Sequence, residues 1–228
     1  MRCHYKHYRY PIAIISHAVW CYYRFSLSFR DVEELLACRG IYVTYESIRQ
    51  WSTKWGTTYA NRLKKRKMQT GSRWHIDEMC ITIRGEKHWL FRAVDEQGYE
   101  LDIMVQPKRD KKSVIRFFKK LLKGSHYIPK IVVTDKLSSY KEPIASLLPN
   151  SLHRSHKRLN NRVENSHQPT RRREKQLIQF KSPLHANNFS FIHGQVGNLF
   201  ATGRYKNPAS LRKTNLTKAL ATWHKIAS

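Results

Sequence analysis

The apolar pattern changes period once, near Ser72, and that change limits the fold more than any other feature of the chain. Before it, apolar residues recur at helix spacing. Ile12, Ile15, Val19 and Tyr22-Tyr23 share one face, then Phe29, Val32, Leu35 and Leu36, then Ile48, Trp51 and Trp55. After it the spacing predicts strands: Trp74 to Arg84, with a turn at Gly85, then His88 to Val94, a turn at Asp95-Glu96-Gln97-Gly98, and Leu101 to Val105. A helix follows over Lys111 to Leu122, with Val114, Phe117, Phe118, Leu121 and Leu122 on one face and Gly124 as its end. Ile131 to Thr134 is a short buried strand, Ser138 to Leu148 a helix broken near Pro143, and Asn150 to Arg158 a basic segment with room for a short edge strand. The order βββαβα, closed by a terminal helix, predicts an α/β fold of the ribonuclease-H-like kind, preceded by a small all-α domain.

The helical N-terminal part carries its own punctuation. Ser28 stands as N-cap with Asp31 in the box position, Gly40 stops the helix, and Thr44 caps a second helix from Tyr45 to Trp55. Two short helices across a glycine-containing turn read as a helix-turn-helix. Arg49, Gln50 and Lys54 face outward on the second helix as DNA contacts. Residues 1–10 read as a basic, aromatic arm and residues 61–67 as a phosphate-contacting linker. The domains are then 1–67 for DNA binding, 68–182 for an α/β catalytic domain, and 183–228 for a helical extension packed on the catalytic domain.

Charge names the class of partner. Lys and Arg number 43 against 16 Asp and Glu, a net charge of +27. With 40% hydrophobic residues the chain is globular rather than a basic tail, so the excess points to a polyanion such as duplex DNA. No apolar run approaches the ~20 residues of a membrane-spanning helix, and no signal peptide is read in Pro11 to Cys21. Cys3, Cys21, Cys38 and Cys80 form no CxxC pair, which argues against zinc and disulfides and fits a reducing cytosol.

Against that background the carboxylates stand out. From Pro143 to Ser228 only Glu164 and Glu174 are acidic, beside fifteen Lys and Arg. Asp77 lies on the first strand and Asp135 at the C-terminal end of the fourth. With Glu164 they make an Asp, Asp, Glu set that can converge at one edge of the sheet. Three such groups suit two Mg²⁺ ions, with Mn²⁺ as a substitute, because Mg²⁺ takes carboxylate oxygen and keeps several waters. Arg171, close to two helical turns after Glu164, then Arg172, Arg173 and Lys136 are cations placed for DNA phosphates. Among competitors, Glu78 points to the opposite face of its strand and reads as structural or a surface ion pair. Asp95 and Glu96 belong to a turn, Asp110 is an N-cap, and Asp102 is the best rival to the triad.

These residues together resemble the IS6-type insertion-sequence transposases. The resemblance rests on Ser28 to Leu36, Tyr45 to Trp51, Trp74-His75-Ile76-Asp77-Glu78 with Ile83-Arg84-Gly85, Phe91 to Asp95, Thr134-Asp135-Lys136 with Ser139-Tyr140, and Leu159 to His167. It implies that Asp77, Asp135 and Glu164 are the catalytic and metal-binding triad and that Arg171 is the basic residue following the Glu. It implies binding to terminal inverted repeats, Mg²⁺-dependent cleavage and strand transfer into target DNA. It also implies a dimer or higher multimer on double-stranded DNA, in the bacterial cytoplasm at the nucleoid. The alternative from another class is a non-enzymatic helix-turn-helix DNA-binding protein or an inactive transposase remnant, which has no need for converging carboxylates.

Overall fold

The computed structural model describes residues 8–25, 27–66, 71–125, 127–135, 137–155, 171, 180–201 and 207–228. In chain order its elements are helices α1 (Ile12–Arg24), α2 (Phe29–Ala37) and α3 (Tyr45–Lys64), then strands β1 (Arg73–Ile83), β2 (Glu86–Asp95) and β3 (Glu100–Gln106). Helix α4 (Lys111–Gly124) leads to strand β4 (Ile131–Thr134), and a 3-10 turn (Ser138–Tyr140) runs into α5 (Lys141–Leu147). Strand β5 (Leu152–Ser155) and helices α6 (Pro183–Leu199) and α7 (Ala209–Ala227) complete the chain. None of the described helices is long and apolar enough to cross a membrane. Two compact units result, residues 1–67 with 192–228, and residues 68–191.

The first unit is helical. The capping box expected at Ser28 forms: its hydroxyl accepts from the Asp31 N–H at 3.1 Å, and Asp31 Oδ2 accepts from the Ser28 N–H at 2.6 Å. Both bonds satisfy donors that a helix start leaves bare, so Ser28→Ala is expected to cost about 1 kcal/mol, measured as a lower urea midpoint. Thr44 caps α3 through the Ser47 N–H. The α3 helix runs to Lys64, well past the Trp55 expected from the sequence, because Gly56 does not end it. Gly56 sits instead where a Cβ would come within 2.9 Å of the Tyr23 ring, so the position needs a residue without a side chain. The helix also takes in residues 61–64 of the expected linker, where Arg62 donates to the carbonyl of Ile226.

The C-terminal segment corrects a second expectation. Residues 192–228 group with the N-terminal helices, not with the catalytic domain. The cause is the apolar face of α7. Trp223 is 2% exposed, meets Tyr59 edge-on at 5.3 Å, and donates its indole N–H to the Ser16 carbonyl at 3.2 Å. A buried indole needs both the apolar surroundings and that acceptor, and α1 and α3 supply them.

The second unit is a five-stranded sheet in the order β3-β2-β1-β4-β5. The first three strands pair antiparallel, while β4 lies parallel to β1 and β5 parallel to β4. Arg84 and Gly85, both at positive φ, make the two-residue turn between β1 and β2. Trp74 and Ile76 of β1, Phe91 and Ala93 of β2 and Val132 of β4 pack against Val114, Phe117, Phe118 and Leu121 of α4 and Ile144 of α5. Burying each of the three phenylalanines stabilises by about 1.5–3 kcal/mol. Pro143 does not break α5, because it falls in the first turn, where a missing N–H costs no helical bond. This is the ribonuclease-H-like order expected from the sequence, and it carries β1 and β4 side by side.

Candidate active site

The site forms where β1 outruns β4. The parallel pairing of these strands ends at His75 with Val133. Beyond it β1 continues to Ile83, while β4 stops at Thr134. Among the described residues the edge of β1 at Asp77 and Glu78 therefore has no strand partner on that side, and the chain leaving β4 places Asp135 beside it. Oxygens of Asp77, Glu78 and Asp135 all lie within 4.8 Å of one another.

Local bonds hold these groups. Asp135 Oδ1 accepts from the Leu137 N–H at 3.0 Å, which turns the chain as it leaves the strand. Thr134 Oγ1 donates to the Asp135 carbonyl at 2.8 Å. Glu78 Oε2 accepts from the Tyr140 hydroxyl at 2.7 Å. Burial raises the Asp135 carboxyl, the Leu137 N–H partly offsets it, and the charge of Asp77 raises it again. Glu78 is pushed up to about 7, first by burial and then by the charges of Asp135 and Asp77, against the lowering hydrogen bond from Tyr140. The Tyr140 phenol, buried beside all three carboxyls, is raised well above its ordinary value and stays a neutral donor.

The sign of the Glu78 shift gives a test. Its folded pKa lies above the ordinary 4.5, so between about 4.5 and about 7 the native chain holds a proton that the unfolded chain has lost. Stability therefore falls as pH rises through that window and levels off above it. In EDTA, thermal melts at about pH 5 and about pH 7.5 are expected to show this fall in the unsubstituted chain and a smaller one in Glu78→Gln. Identical profiles would mean that Glu78 titrates normally.

Three crowded carboxyls fit a divalent cation by the chemistry of their donors: all are hard oxygens, and mutual repulsion is relieved by positive charge. The geometry adds a second sign of fit, because the Glu78 Oε1 atom is sealed from solvent with no hydrogen-bond partner among the described residues. The sequence reading of Glu78 as a surface ion pair is not met, since its hydrogen-bond partner is the buried Tyr140 hydroxyl. Strand alternation does send it to the other face, but at that edge its oxygens reach the same space as Asp77.

Of the residues expected to act, Asp77 and Asp135 come together, whereas Glu164, Lys136, Arg172 and Arg173 lie outside the described residues. Arg171 donates its Nε–H to Met79 Sδ at 3.2 Å, on the β1 face shared with Asp77. Asp102, the rival carboxylate, is 1% exposed and pairs with Lys120 at 3.0 Å. Asp110 caps α4 through the Ser113 N–H at 2.8 Å, and Asp95 binds the N–H groups of Gln97 and Tyr99 within its turn. One cation was missed by the sequence reading. Arg109, at the start of α4, lies over the Trp89 ring at 4.2 Å and lowers the pKa of both Glu78 and Asp135. Its signal was the basic run Lys108-Arg109 directly before the Asp110 cap.

In the helical unit Arg49, Gln50 and Lys54 stand exposed on α3. Glu46 accepts from Arg49 at 2.8 and 2.6 Å and from Gln50 at 3.2 Å, and these bonds hold its carboxyl down to about 2. Lys54 lies 5.1 Å from the centres of the Tyr8 and Trp55 rings.

A family model described as a DDE domain matches residues 71–202. The transposase for insertion sequence element IS257 in transposon Tn4003 of Staphylococcus aureus is 34% identical over 159 residues, covering 68% of this chain and 70% of that protein. The transposase for the insertion sequence-like element IS431mec of Staphylococcus aureus strain N315 matches at the same identity and coverage. Among solved structures, the HTLV-2 integrase catalytic core domain in complex with magnesium is similar at a TM-score of 0.40 and 16% identity, covering 55% of this chain and 86% of that one. The domain match spans more than half of the chain and the staphylococcal relatives more than two thirds of it, so the chain belongs to the IS6-type DDE transposases, polynucleotidyl transferases of insertion sequences.

Proposed function

We propose that this transposase cleaves DNA at the ends of its insertion sequence and joins the freed strands to target DNA in the bacterial cytoplasm, with Asp77, Asp135 and Glu164 as its catalytic carboxylates. The observation that carries the reading is the meeting of Asp77 and Asp135 at the edge of β1, with oxygens inside 4.8 Å. These aspartates and Glu164 would hold two Mg²⁺ ions, or Mn²⁺ in their place. Ions bound there supply Lewis-acid polarisation of the phosphate and a lowered pKa for the attacking oxygen. The protein's own part includes fixing Asp135 before DNA arrives, through the Leu137 N–H. In this reading Arg109, Lys136, Arg171, Arg172 and Arg173 would be the cations that hold the DNA phosphates.

The α2–α3 pair serves as a helix-turn-helix, with α3 in the major groove. Arg49 and Gln50 have the side chains that read guanine and adenine edges. Glu46 holds both on the exposed face, and Lys54 contacts the backbone. Transposition requires two ends to be handled together, so the working form is a dimer or higher multimer on double-stranded DNA.

A labelled duplex carrying the element's own end is the direct test. Mg²⁺ is expected to give strand cleavage with a free 3′ hydroxyl, EDTA to stop it, and Mn²⁺ to restore it. Binding without cleavage in all three conditions would favour a DNA-binding remnant.

A further inference from the structure

We propose that Glu78 is a third metal-facing carboxylate of the β1–β4 edge and that Tyr140 is the residue that positions it. The inference rests on the reading of Asp77 and Asp135 as metal ligands and adds two residues to it.

The geometry is unusual for neighbours on a strand. Alternation sends Glu78 to the face of Trp74 and Ile76, which α4 and α5 cover, and Asp77 to the opposite face. Two such carboxyls ordinarily point apart, yet oxygens of both lie within 4.8 Å of each other and of Asp135. They meet because β1 has no β4 partner beyond His75, so that among the described residues no strand pairs with β1 at Asp77 and Glu78 on that side. Glutamate also has one methylene more than aspartate, the length needed to reach round a strand edge.

Tyr140 decides where that longer side chain rests. It is 0% exposed, belongs to the core under α4, and meets Phe118 edge-on at 6.5 Å, so its hydroxyl is aimed by packing. The hydroxyl donates to Oε2 of Glu78 at 2.7 Å. The other oxygen, Oε1, is hidden from solvent without a hydrogen-bond partner among the described residues. A buried acceptor left bare is costly, and a cation at the Asp77–Asp135 cluster would satisfy it. Tyr140 closes the same short turn that begins at Asp135. One segment thus carries a ligand directly and orients a second through the phenol.

The competing account is structural: a buried phenol tying the 3-10 turn to the sheet, with no bearing on metal. Mn²⁺ titration of the full chain, followed by electron paramagnetic resonance without DNA, separates the two. Tyr140→Phe keeps the ring and removes only the donor, while Glu78→Gln keeps the shape and removes the charge. Each is expected to raise the Mn²⁺ Kd by about 10–100-fold, the usual cost of losing an outer-shell partner or weakening a ligand. The double variant is expected to be no worse than Glu78→Gln, because Tyr140 acts through Glu78. Parental affinity in Glu78→Gln overturns the proposal, and full addition of the two effects overturns the positioning role of Tyr140. Asp77→Asn is the reference arm. If it too binds Mn²⁺ like the parent, the metal reading of the cluster fails. If it loses Mn²⁺ while Glu78→Gln keeps it, the present proposal alone fails.

Discussion

Asp135→Asn is expected to lower strand cleavage by about a thousandfold or more, with duplex binding nearly unchanged. The substitution is close to isosteric. An asparagine carbonyl oxygen can still accept the Leu137 N–H, so the turn leaving β4 keeps its hydrogen bond. What disappears is one negative charge at a point where Asp77, Glu78 and Asp135 place oxygens within 4.8 Å. Preorganised charge of this kind gains its catalytic value from standing ready before the reaction. Asp77→Asn is expected to behave alike, and so is Glu164→Gln if Glu164 completes the set. Single-turnover cleavage of an end-labelled duplex measures the first effect and gel retardation the second. Retained cleavage would remove Asp135 from the mechanism. Joint loss of cleavage and binding, with an altered circular dichroism spectrum, would point to a folding role instead.

The parts of this structure that could be read ahead are those whose causes are local. Alternation in Trp74 to Ile83 gives β1, the apolar face of Val114, Phe117, Phe118 and Leu121 gives α4, and Ser28 with Asp31 gives the start of α2. Each signal lies within a few residues of its effect. The misreadings have distant causes. From the sequence, the helix capped by Thr44 is expected to stop at Trp55, but α3 runs on to Lys64 and carries Gly56 at a point where Tyr23, far away in sequence, occupies the space of a Cβ. The expected packing of residues 183–228 is on the catalytic domain, and no local pattern shows that Trp223 meets Ser16 and Tyr59 instead. The candidate site divides in the same way. Asp77 and Asp135 could be found because each ends or interrupts an apolar strand. Glu78 follows the rule of alternation, but no local pattern shows that β4 stops short of it and that its oxygens come within 4.8 Å of Asp77 and Asp135.

The largest effect expected on stability lies away from the acidic cluster, at Arg92 and Glu100. Glu100→Gln is expected to destabilise the sheet unit by about 3–5 kcal/mol, read from urea denaturation. Arg92 of β2 is 2% exposed, and its Nε lies 3.1 Å from Glu100 Oε2, a side chain only 7% exposed. Burial lowers the guanidinium pKa, and the Glu100 charge works against that lowering. The register between β2 and β3 slips between Ala93 and Val94, so that Glu100 faces Val94. A bulge of this kind re-aims a side chain, here one that neutralises a cation inside the fold. Glutamine fills the same space but removes the Glu100 charge beside the buried guanidinium in a low-dielectric interior, and that lost charge, not lost packing, accounts for the cost. Replacing both members by apolar residues, Arg92→Met with Glu100→Leu, is therefore expected to destabilise less than Glu100→Gln alone. The comparison tests the cause as well as the size. If the double variant is the weaker of the two, shape and hydrogen bonding at this site outweigh charge. If Glu100→Gln shifts stability by less than about 1 kcal/mol, other neighbours of Arg92 carry its compensation.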